Sequence, residues 1–287
     1  MNNNLDSIHV MPGLFCNYTC SHCVNDSGPK MSKKVSGLEL DRIKNDVIKY
    51  TPKFLQFSGG ESTFYANEIN QIVAAHPDLE NCEVVLTSNG WYGKSFELTR
   101  KTLDQFDYIS KITLSFDVFH GNQTNINGLR NIKKYADENN IKLTISFCIS
   151  SPVDLIKAKL VLEDIAIPVI YQRVDAVGRA KTNNLGYQFP TFEEEVLSQT
   201  CPNLKCVSFV PEKGFSICCG NLIFNGDNKE IYHNSISEHF KSPFYQRLND
   251  KNFGEILKDS GYSLESLKAN LSSACSICEY IHTKESL

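Results

Sequence analysis

The sequence predicts an α/β fold: a partial (β/α)6 barrel over residues 1–185, followed by a small cysteine-rich module over residues 186–287. Strand-like and helix-like apolar patterns alternate six times in the first two-thirds of the chain, as in a parallel sheet with crossover helices. Near residues 183–188 the alternation stops, and prolines and six of the eleven cysteines follow. Six units are too few to close an eight-stranded barrel, so we expect an open, splayed one.

Each predicted strand is an apolar run, and each predicted helix has apolar residues at helical spacing. The predicted strands cover residues 7–15, 53–57, 82–87, 111–116, 142–149 and 168–174. The predicted helices between them cover residues 38–50, 66–75, 95–106, 124–139 and 153–163. Polar motifs follow several strands directly, at the edge where parallel α/β sheets bind ligands.

Composition narrows the class of protein. The 287 residues carry a formal net charge of −4 and show no basic stripe, so we expect no nucleic-acid partner. Residues 1–6 lack the regions of a signal peptide, and no apolar run approaches the ~20 residues that span a bilayer. We therefore expect a cytoplasmic protein without a membrane partner, in which cysteines serve metal binding or redox chemistry rather than disulfides.

Three cysteines lie together after the first strand. Cys16, Cys20 and Cys23 have C-x3-C-x2-C spacing. Iron–sulfur cubes usually take four cysteines. A trio without a nearby fourth therefore indicates a [4Fe–4S] cluster with one open iron, which can bind a substrate or cofactor. A zinc or purely structural site is the alternative, but zinc prefers two C-x2-C pairs, and no second pair follows closely.

Three more motifs stand at strand ends. The glycines of the first allow a ligand close to the backbone and are expected to offer N–H groups. The short polar side chains of the other two can face a ligand, and a buried aspartate there should have a partner. Ordinary turns are the alternative. The candidate binding residues are Ser58, Gly59, Gly60, Glu61, Ser88, Asn89, Ser115 and Asp117.

Other candidates near the strand ends are basic or thiol side chains. Arg173 and Arg179 follow the sixth strand and can grip a carboxylate in a bidentate way, although a surface ion pair is an equal alternative. His120 can face a substrate, but more often such a histidine caps or packs. Ser146 and Cys148 alternate along their strand and should both point into the barrel, with Cys148 as a small core residue.

The cysteine trio and the strand-end motifs resemble the radical S-adenosylmethionine (SAM) enzymes. The resemblance implies the partial barrel and a [4Fe–4S] cluster on Cys16, Cys20 and Cys23 that binds SAM. It also implies that the segment 58–61 binds the SAM amino group, and that polar groups at later strand ends, with Arg173 or Arg179, meet its ribose or carboxylate. A 5′-deoxyadenosyl radical would then take hydrogen from a substrate, with electrons supplied by a donor such as flavodoxin or ferredoxin.

The last third of the chain holds a second cysteine group that includes the pair Cys275-x-x-Cys278. A zinc site with four cysteine ligands is the serious alternative. Beside a radical SAM core, the segment resembles the auxiliary-cluster modules called SPASM or twitch, in the shorter, single-cluster form. The ligands we select for a second [4Fe–4S] cluster are Cys201, Cys218, Cys275 and Cys278, which leaves Cys206 and Cys219 as free thiols.

A narrower resemblance is to the radical SAM peptidyl epimerases of the epipeptide type, which convert L-residues of a ribosomal peptide to D-residues. The segments that carry it are 57–61, 87–93, 114–120, 177–182, Cys201-Pro202, Cys218-Cys219 and Cys275-x-x-Cys278. It implies that Cys219 returns hydrogen to the substrate on the opposite face. Cys206 and the shorter C-terminal tail depart from this pattern, so Cys206 is the other candidate donor.

Several functions remain open at this point. A radical SAM oxidase would form a thioether, a carbon–carbon crosslink or a ketone, and a sugar or aminoglycoside epimerase would act on a small molecule. A non-catalytic iron–sulfur or zinc-binding protein is the alternative outside enzymes. The sequence does not choose between a peptide and a small-molecule substrate.

Overall fold

Eight strands form one sheet in the computed structural model, which describes residues 5–123, 125–163, 165–224 and 229–284. In chain order the strands are β1 (Ser7–Val10), β2 (Phe54–Phe57), β3 (Glu83–Ser88), β4 (Lys111–Ser115), β5 (Lys142–Ile149), β6 (Val169–Arg173), β7 (Cys206–Val210) and β8 (Gly214–Ser216). Their order across the sheet is β6-β5-β4-β3-β2-β1-β7-β8. All neighbouring pairs are parallel except β7 and β8, which form an antiparallel hairpin.

Helices connect the strands and cover one face of the sheet. They are α1 (Gly37–Tyr50), α2 (Ala66–Ala74), α3 (Phe96–Leu103), α4 (Ile126–Glu138), α5 (Val153–Leu162), α6 (Arg179–Thr182), α7 (Asn221–Phe224), α8 (Ile236–Lys241), α9 (Pro243–Asp250), α10 (Phe253–Asp259) and α11 (Ala274–Lys284). Local sequence sets their starts: Ser36 and Glu39 form a capping box at the N-terminus of α1, for example, which satisfies otherwise unpaired backbone N–H groups.

The two faces of the sheet differ in polarity. The face under the helices is apolar: Ile8, Leu55 and Ile112 are fully buried in the core. The opposite face carries polar side chains from successive strands. His9 on β1 hydrogen-bonds there to Ser58 and Ser208, and Ser115 pairs in register with Ser146. Alternation along each strand therefore produces a polar inner wall.

The predicted fold class is confirmed: the structure is an α/β partial barrel with a cysteine-rich C-terminal region. Every predicted strand and helix of the first two-thirds is present; β1 ends at Val10, five residues before its predicted end, and the other ends differ by at most three residues. Thr124, where the predicted fourth helix begins, lies outside the described residues. The pattern did not indicate β7 and β8, which extend the barrel sheet beyond β1. The division at residue 185 remains a prediction.

The C-terminal helices pack around β8 and the cysteine group. α10 and α11 contact each other, and α11 also contacts α7. In the described ranges, no helix is both long enough and apolar enough to cross a lipid bilayer.

Candidate active site

The cysteine trio forms a loop beyond the carboxyl end of β1. Its backbone is closed by hydrogen bonds from Cys23 N to Cys20 O (3.2 Å) and from Cys16 N to Gly28 O (3.3 Å). All three cysteines are free thiols. Cys16 is buried, while Cys20 and Cys23 are half-buried.

The environment of these thiols fits an iron–sulfur cluster. The pKa of Cys16 is raised to about 11, mainly by burial and to a smaller extent by the nearby Glu61, Cys20 and Cys23. Burial also raises the pKa of Cys23. A metal cluster would bind the deprotonated sulfurs and so offset the cost of burying their charge. Tyr18 N (3.4 Å) and Asn89 Nδ2 (3.6 Å) donate to Cys16 Sγ, as N–H groups do to cluster sulfurs.

The turn 58–61 packs directly on the start of the cysteine loop. Gly59 has φ +113°, and a Cβ there would lie 2.6 Å from Gly13 O; a Cβ on Gly60 would collide with Phe15 O. Both positions therefore require glycine for this close approach. Asn25 Nδ2 donates to Gly59 O at 2.7 Å.

The expectation that both glycines of this turn offer N–H groups to a ligand is wrong for Gly60. Gly60 N donates to Gly13 O (2.9 Å) and Glu61 N donates to Phe15 O (2.8 Å), so neither N–H group is offered to a ligand. The two glycines allow the turn 58–61 to pack closely against the loop that holds the cysteines. The predicted binding of the SAM amino group by this segment remains a prediction.

Glu61 joins the ends of β2 and β3. Its side chain is buried, and Oε1 accepts hydrogen bonds from Ser88 Oγ (2.7 Å), Thr63 Oγ1 (2.7 Å) and Thr63 N (3.2 Å). Oε2 accepts from Asn89 N (2.8 Å). Burial raises the pKa of Glu61, while these donors lower it. The structure thus brings together Glu61, Ser88 and Asn89, with most acceptor capacity of the carboxylate already used.

Asn89 links this group to the cysteine loop. Its Nδ2 donates to Asn17 Oδ1 (3.0 Å) as well as to Cys16 Sγ, and its Oδ1 accepts from Trp91 N (3.0 Å). The Asn-Gly sequence at this point makes more than an ordinary turn, because the asparagine side chain spans two loops.

Asp117 has the partner that its position predicts. Oδ1 accepts from His120 Nδ1 (2.8 Å) and Phe119 N (2.9 Å), and the side chain is inaccessible to solvent. Burial opposes charge on His120, but its bond to Asp117, with Cys20 nearby, raises its pKa to about 10. The pKa of Asp117 is lowered although burial opposes this, because His120 and His22 stabilise the carboxylate.

His22 was not singled out from the sequence, although its place between Cys20 and Cys23 is a signal that it faces the same site. Its Nε2 lies 3.7 Å from Asp117 Oδ2, and burial lowers the pKa of His22 to about 4. Ligand-type atoms of His22, Asp117 and Cys148 lie within 4.8 Å of one another. Cys148 therefore faces this polar group rather than the apolar core, as a correction to its expected core role.

The two arginines after β6 have different surroundings. Arg173 is half-exposed, lies over the rings of Tyr187 (4.9 Å) and Phe189 (5.0 Å), and is 4.0 Å from Glu193. Arg179 instead braces the cysteine loop: Nε donates to Cys20 O (2.8 Å). Its other two nitrogens bind Ser27 O (2.6 Å) and Asp26 Oδ1 (2.7 Å). A carboxylate-binding role for either arginine remains a prediction.

The second cysteine group converges from three parts of the chain. Cys201 precedes β7, Cys218 and Cys219 follow β8, and Cys275 and Cys278 lie at the start of α11. The thiols that line one common cavity are Cys201, Cys218, Cys219, Cys275 and Cys278. Apolar side chains, among them Phe244, Leu248 and Phe253, form the rest of its wall.

Burial raises the pKa of every thiol that lines this cavity. It raises the pKa of Cys201 to about 11 and that of Cys219 to about 12, and neighbouring thiols add to both shifts. It also raises the pKa of Cys218, Cys275 and Cys278. Asn203 Nδ2 lies 2.9 Å from Cys219 Sγ and donates to it. Cys206 lies on β7, and its thiol is hydrogen-bonded to the side chain of Ser7.

One family model matches part of the chain. Residues 10–145 match the model of the Radical SAM superfamily. No curated protein matches the sequence.

Solved structures resemble the chain over most of its length. A structure of native anSMEcpe with bound AdoMet and Cp18Cys peptide is 13% identical, covers 84% of this chain and 81% of its own, and has a TM-score of 0.52. BtrN in complex with AdoMet and 2-DOIA is 14% identical, with 90% of each chain covered and a TM-score of 0.47. SuiB of Streptococcus suis bound to precursor peptide SuiA is 12% identical, covers 99% and 74%, and has a TM-score of 0.47. The first of these shares the fold.

Proposed function

Since the chain carries a Radical SAM superfamily domain over residues 10–145, we propose that it is a radical SAM epimerase that converts an L-residue of a ribosomal peptide to its D-form. The domain indicates an enzyme of SAM radical chemistry with a [4Fe–4S] cluster that binds SAM. The observation that supports epimerisation is a fifth thiol, Cys219, in the cavity of four proposed cluster ligands.

Cys16, Cys20 and Cys23 would hold the first cluster. When bound, cluster and SAM supply a 5′-deoxyadenosyl radical, the species that removes a hydrogen atom from the substrate carbon. Residues of this chain would hold the cysteine ligands in place. Arg179 donates a hydrogen bond to the carbonyl of Cys20, and Asn89 and Tyr18 donate N–H groups to Cys16 Sγ. The proposed SAM-binding residues remain Ser58, Gly59, Gly60, Glu61, Ser88, Asn89, Ser115, Asp117, Arg173 and Arg179.

An auxiliary [4Fe–4S] cluster would be held by Cys201, Cys218, Cys275 and Cys278. Their thiols share one cavity and raise one another's pKa, as closely spaced ligands do. Four cysteines complete such a cluster. Cys219 then remains outside the ligand set.

The environment of Cys219 supports a role as hydrogen donor. Only a protonated thiol carries a hydrogen atom to transfer, and burial raises the pKa of Cys219 to about 12, so the thiol form persists at neutral pH. In the transfer, the S–H bond breaks and a C–H bond forms on the substrate carbon, which leaves a radical on sulfur. One electron and one proton then restore the thiol. A redox protein such as flavodoxin or ferredoxin would supply electrons.

The test replaces Cys219 with alanine and runs the reaction in D2O, with Cys206→Ala as the matched control. Wild type and the control should place solvent deuterium at the inverted carbon. The Cys219→Ala variant should still release 5′-deoxyadenosine but should yield no inverted product. Normal inversion by Cys219→Ala would reject the donor assignment.

Product mass separates the alternatives. Epimerisation leaves the substrate mass unchanged, whereas oxidation to a crosslink, thioether or ketone lowers it by two hydrogens. A mass loss on a peptide substrate would replace the epimerase proposal with an oxidative one. Inversion of a sugar without reaction of any peptide would replace the substrate class.

A further inference from the structure

Cys218 and Cys219 are neighbours in the chain, and both line the second cysteine cavity. Five thiols of the described residues line this cavity, whereas four complete a [4Fe–4S] cluster. Spacing along the chain does not show which of two adjacent cysteines stays free. The hydrogen-bond donors around the two sulfurs differ, however, and this difference distinguishes a ligand from a free thiol.

Backbone N–H groups surround the sulfur of Cys218. Gly220, Leu222 and Ile223 each donate a backbone hydrogen bond to it. Such donors stabilise a thiolate, which is the form of cysteine that binds a metal. Hydrogen bonds to sulfur are also a regular feature of the cysteines that hold iron–sulfur clusters. Cys218 therefore has the surroundings of a cluster ligand.

Cys219 receives a hydrogen bond from a side chain instead. Asn203 Nδ2 donates to Cys219 Sγ at 2.9 Å. Because the sulfur accepts this bond through a lone pair, the S–H hydrogen of Cys219 is not used in it. The amide of Asn203 thus fixes the position of the sulfur and leaves its hydrogen available for transfer.

Asn203 is itself held in place on the wall of the cavity. It follows Pro202, whose ring fixes the backbone φ angle just before it. Its own backbone N–H donates to Cys201, and its carbonyl oxygen accepts from Cys206 N at 2.8 Å. Since the backbone of Asn203 is bonded on both sides, a rotation of the Cys219 side chain would break the bond between the amide and the sulfur.

We propose that Asn203 is a positioning residue that holds Cys219 outside the ligand set of the second cluster, with its S–H hydrogen available to the substrate radical. This inference rests on the proposed function, in which Cys219 returns hydrogen to the substrate. Asn203 forms and breaks no covalent bond in that step. Without its amide, the sulfur of Cys219 is free to rotate, so that hydrogen return fails and Cys219 competes with Cys218 for iron.

The first experiment measures how well hydrogen return is coupled to SAM cleavage. Asn203→Asp keeps the shape of the side chain but replaces the N–H donor with an oxygen that only accepts. In D2O, the ratio of inverted, deuterated product to 5′-deoxyadenosine should fall about tenfold, the effect of one lost hydrogen bond, while 5′-deoxyadenosine release stays unchanged. Asn131→Asp is the matched control, because half-buried Asn131 donates through Nδ2 to Gly93 O (2.8 Å) rather than to sulfur. Wild-type coupling in Asn203→Asp would overturn the positioning role.

The second experiment measures iron binding and needs no substrate. Replacing the cysteine trio with alanine leaves the second cluster as the iron site, with about four irons per chain after reconstitution. In this background, Cys218→Ala should lower the iron content. Adding Asn203→Leu should restore part of it, because Cys219 is then free to replace the missing ligand. A combined variant with no more iron than Cys218→Ala would overturn Asn203 as the residue that keeps Cys219 out of the ligand set.

Two further variants control for folding and for the identity of the sulfur. In the same background, Asn203→Leu alone should bind as much iron as its parent, and a loss of iron would show a structural role in place of the proposed one. Adding Cys219→Ala to Cys218→Ala and Asn203→Leu should remove the restored iron. Iron that persists there would come from another ligand and would overturn the proposal. Because iron content does not depend on the substrate, a failure of the epimerase proposal stays separate from a failure of this one.

Discussion

The Nε atom of Arg179 donates a hydrogen bond to the carbonyl oxygen of Cys20 at 2.8 Å, across 159 residues of sequence. Backbone N of Arg179 also donates to Cys23 O at 3.0 Å. A residue after the sixth strand thus shapes the loop after the first, which connects the two ends of the partial barrel at the cysteine trio.

Replacing Arg179 with lysine should lower occupancy of the first cluster. Lysine presents a point charge and cannot reproduce the three directed bonds of the guanidinium to Cys20, Ser27 and Asp26. The matched control is Arg173→Lys, because Arg173 lies on surface aromatic rings instead. Iron content and the cluster EPR signal after reconstitution provide the measurement, and equal losses in both variants would contradict this role.

Replacing Gly60 with alanine should disrupt the site more than its small size suggests. The added Cβ would collide with Phe15 O, so the turn 58–61 and the cysteine loop must separate. SAM affinity and cluster content should both fall, with a stability loss of about 1–3 kcal/mol from overpacking. Gly37→Ala is the control, since nothing lies within 4 Å of a Cβ there. Unchanged SAM binding by Gly60→Ala would show that this close packing of the turn on the cysteine loop is not needed for SAM binding.

Replacing Glu61 with glutamine should destabilise the protein by about 1–3 kcal/mol, because an amide cannot accept all the donors that now meet the carboxylate. Turning its NH2 group toward Asn89 N places two donors together, and turning it the other way places it against the backbone N–H of Thr63, which is also a donor. Urea unfolding monitors the loss, with the exposed Glu97→Gln as a reference. Equal stability of the two variants would show that these bonds carry little free energy.

The buried carboxyl of Asp46, away from the proposed clusters, should make the stability of the protein depend on pH. Burial raises its pKa, although Ile236 N donates to Oδ2 at 2.8 Å. A raised folded-state pKa means that its contribution to stability is complete below the unfolded value and is lost as the pH rises through the folded one. Asp46→Asn keeps an acceptor and does not titrate.

The free energy of unfolding of Asp46→Asn, relative to wild type, should therefore increase as the pH rises above about 4, the unfolded-state pKa of aspartate. Denaturant unfolding at several pH values checks this trend. A difference that is constant with pH would mean that Asp46 titrates alike in the folded and unfolded chain.

Much of the barrel could be predicted because apolar periodicity is a local signal. The strands that lead to Ser58, Ser88 and Asp117 end within one residue of where the pattern indicates, whereas β1 ends at Val10, five residues before its predicted end. Since carboxyl ends of parallel strands share an edge, the topology alone placed these motifs together. The cost of burying a charge predicts that Asp117 has a partner, and the structure identifies that partner as His120.

Other features depend on contacts between distant residues. β7 joins the sheet beside β1, and β8 follows it, although the sequence there shows no βα alternation. Arg179 hydrogen-bonds to the loop of Cys20 instead of extending freely from the strand end. The N–H groups of Gly60 and Glu61 donate to backbone carbonyls within the fold. Spacing along the chain carries no information on which donor meets which acceptor across 50 or more residues.

By itself, the sequence determined the α/β class, the cysteine trio and the polar motifs at successive strand ends, because periodicity, ligand spacing and turn chemistry are encoded over a few residues. Only the tertiary structure decided which groups meet: Glu61 with Ser88 and Asn89, and Phe64 with Trp91 beside Cys16. It also brought Cys201, Cys219 and Cys275 to one cavity. The reason is that burial and hydrogen-bond saturation depend on the packing of strands and loops far apart in the chain.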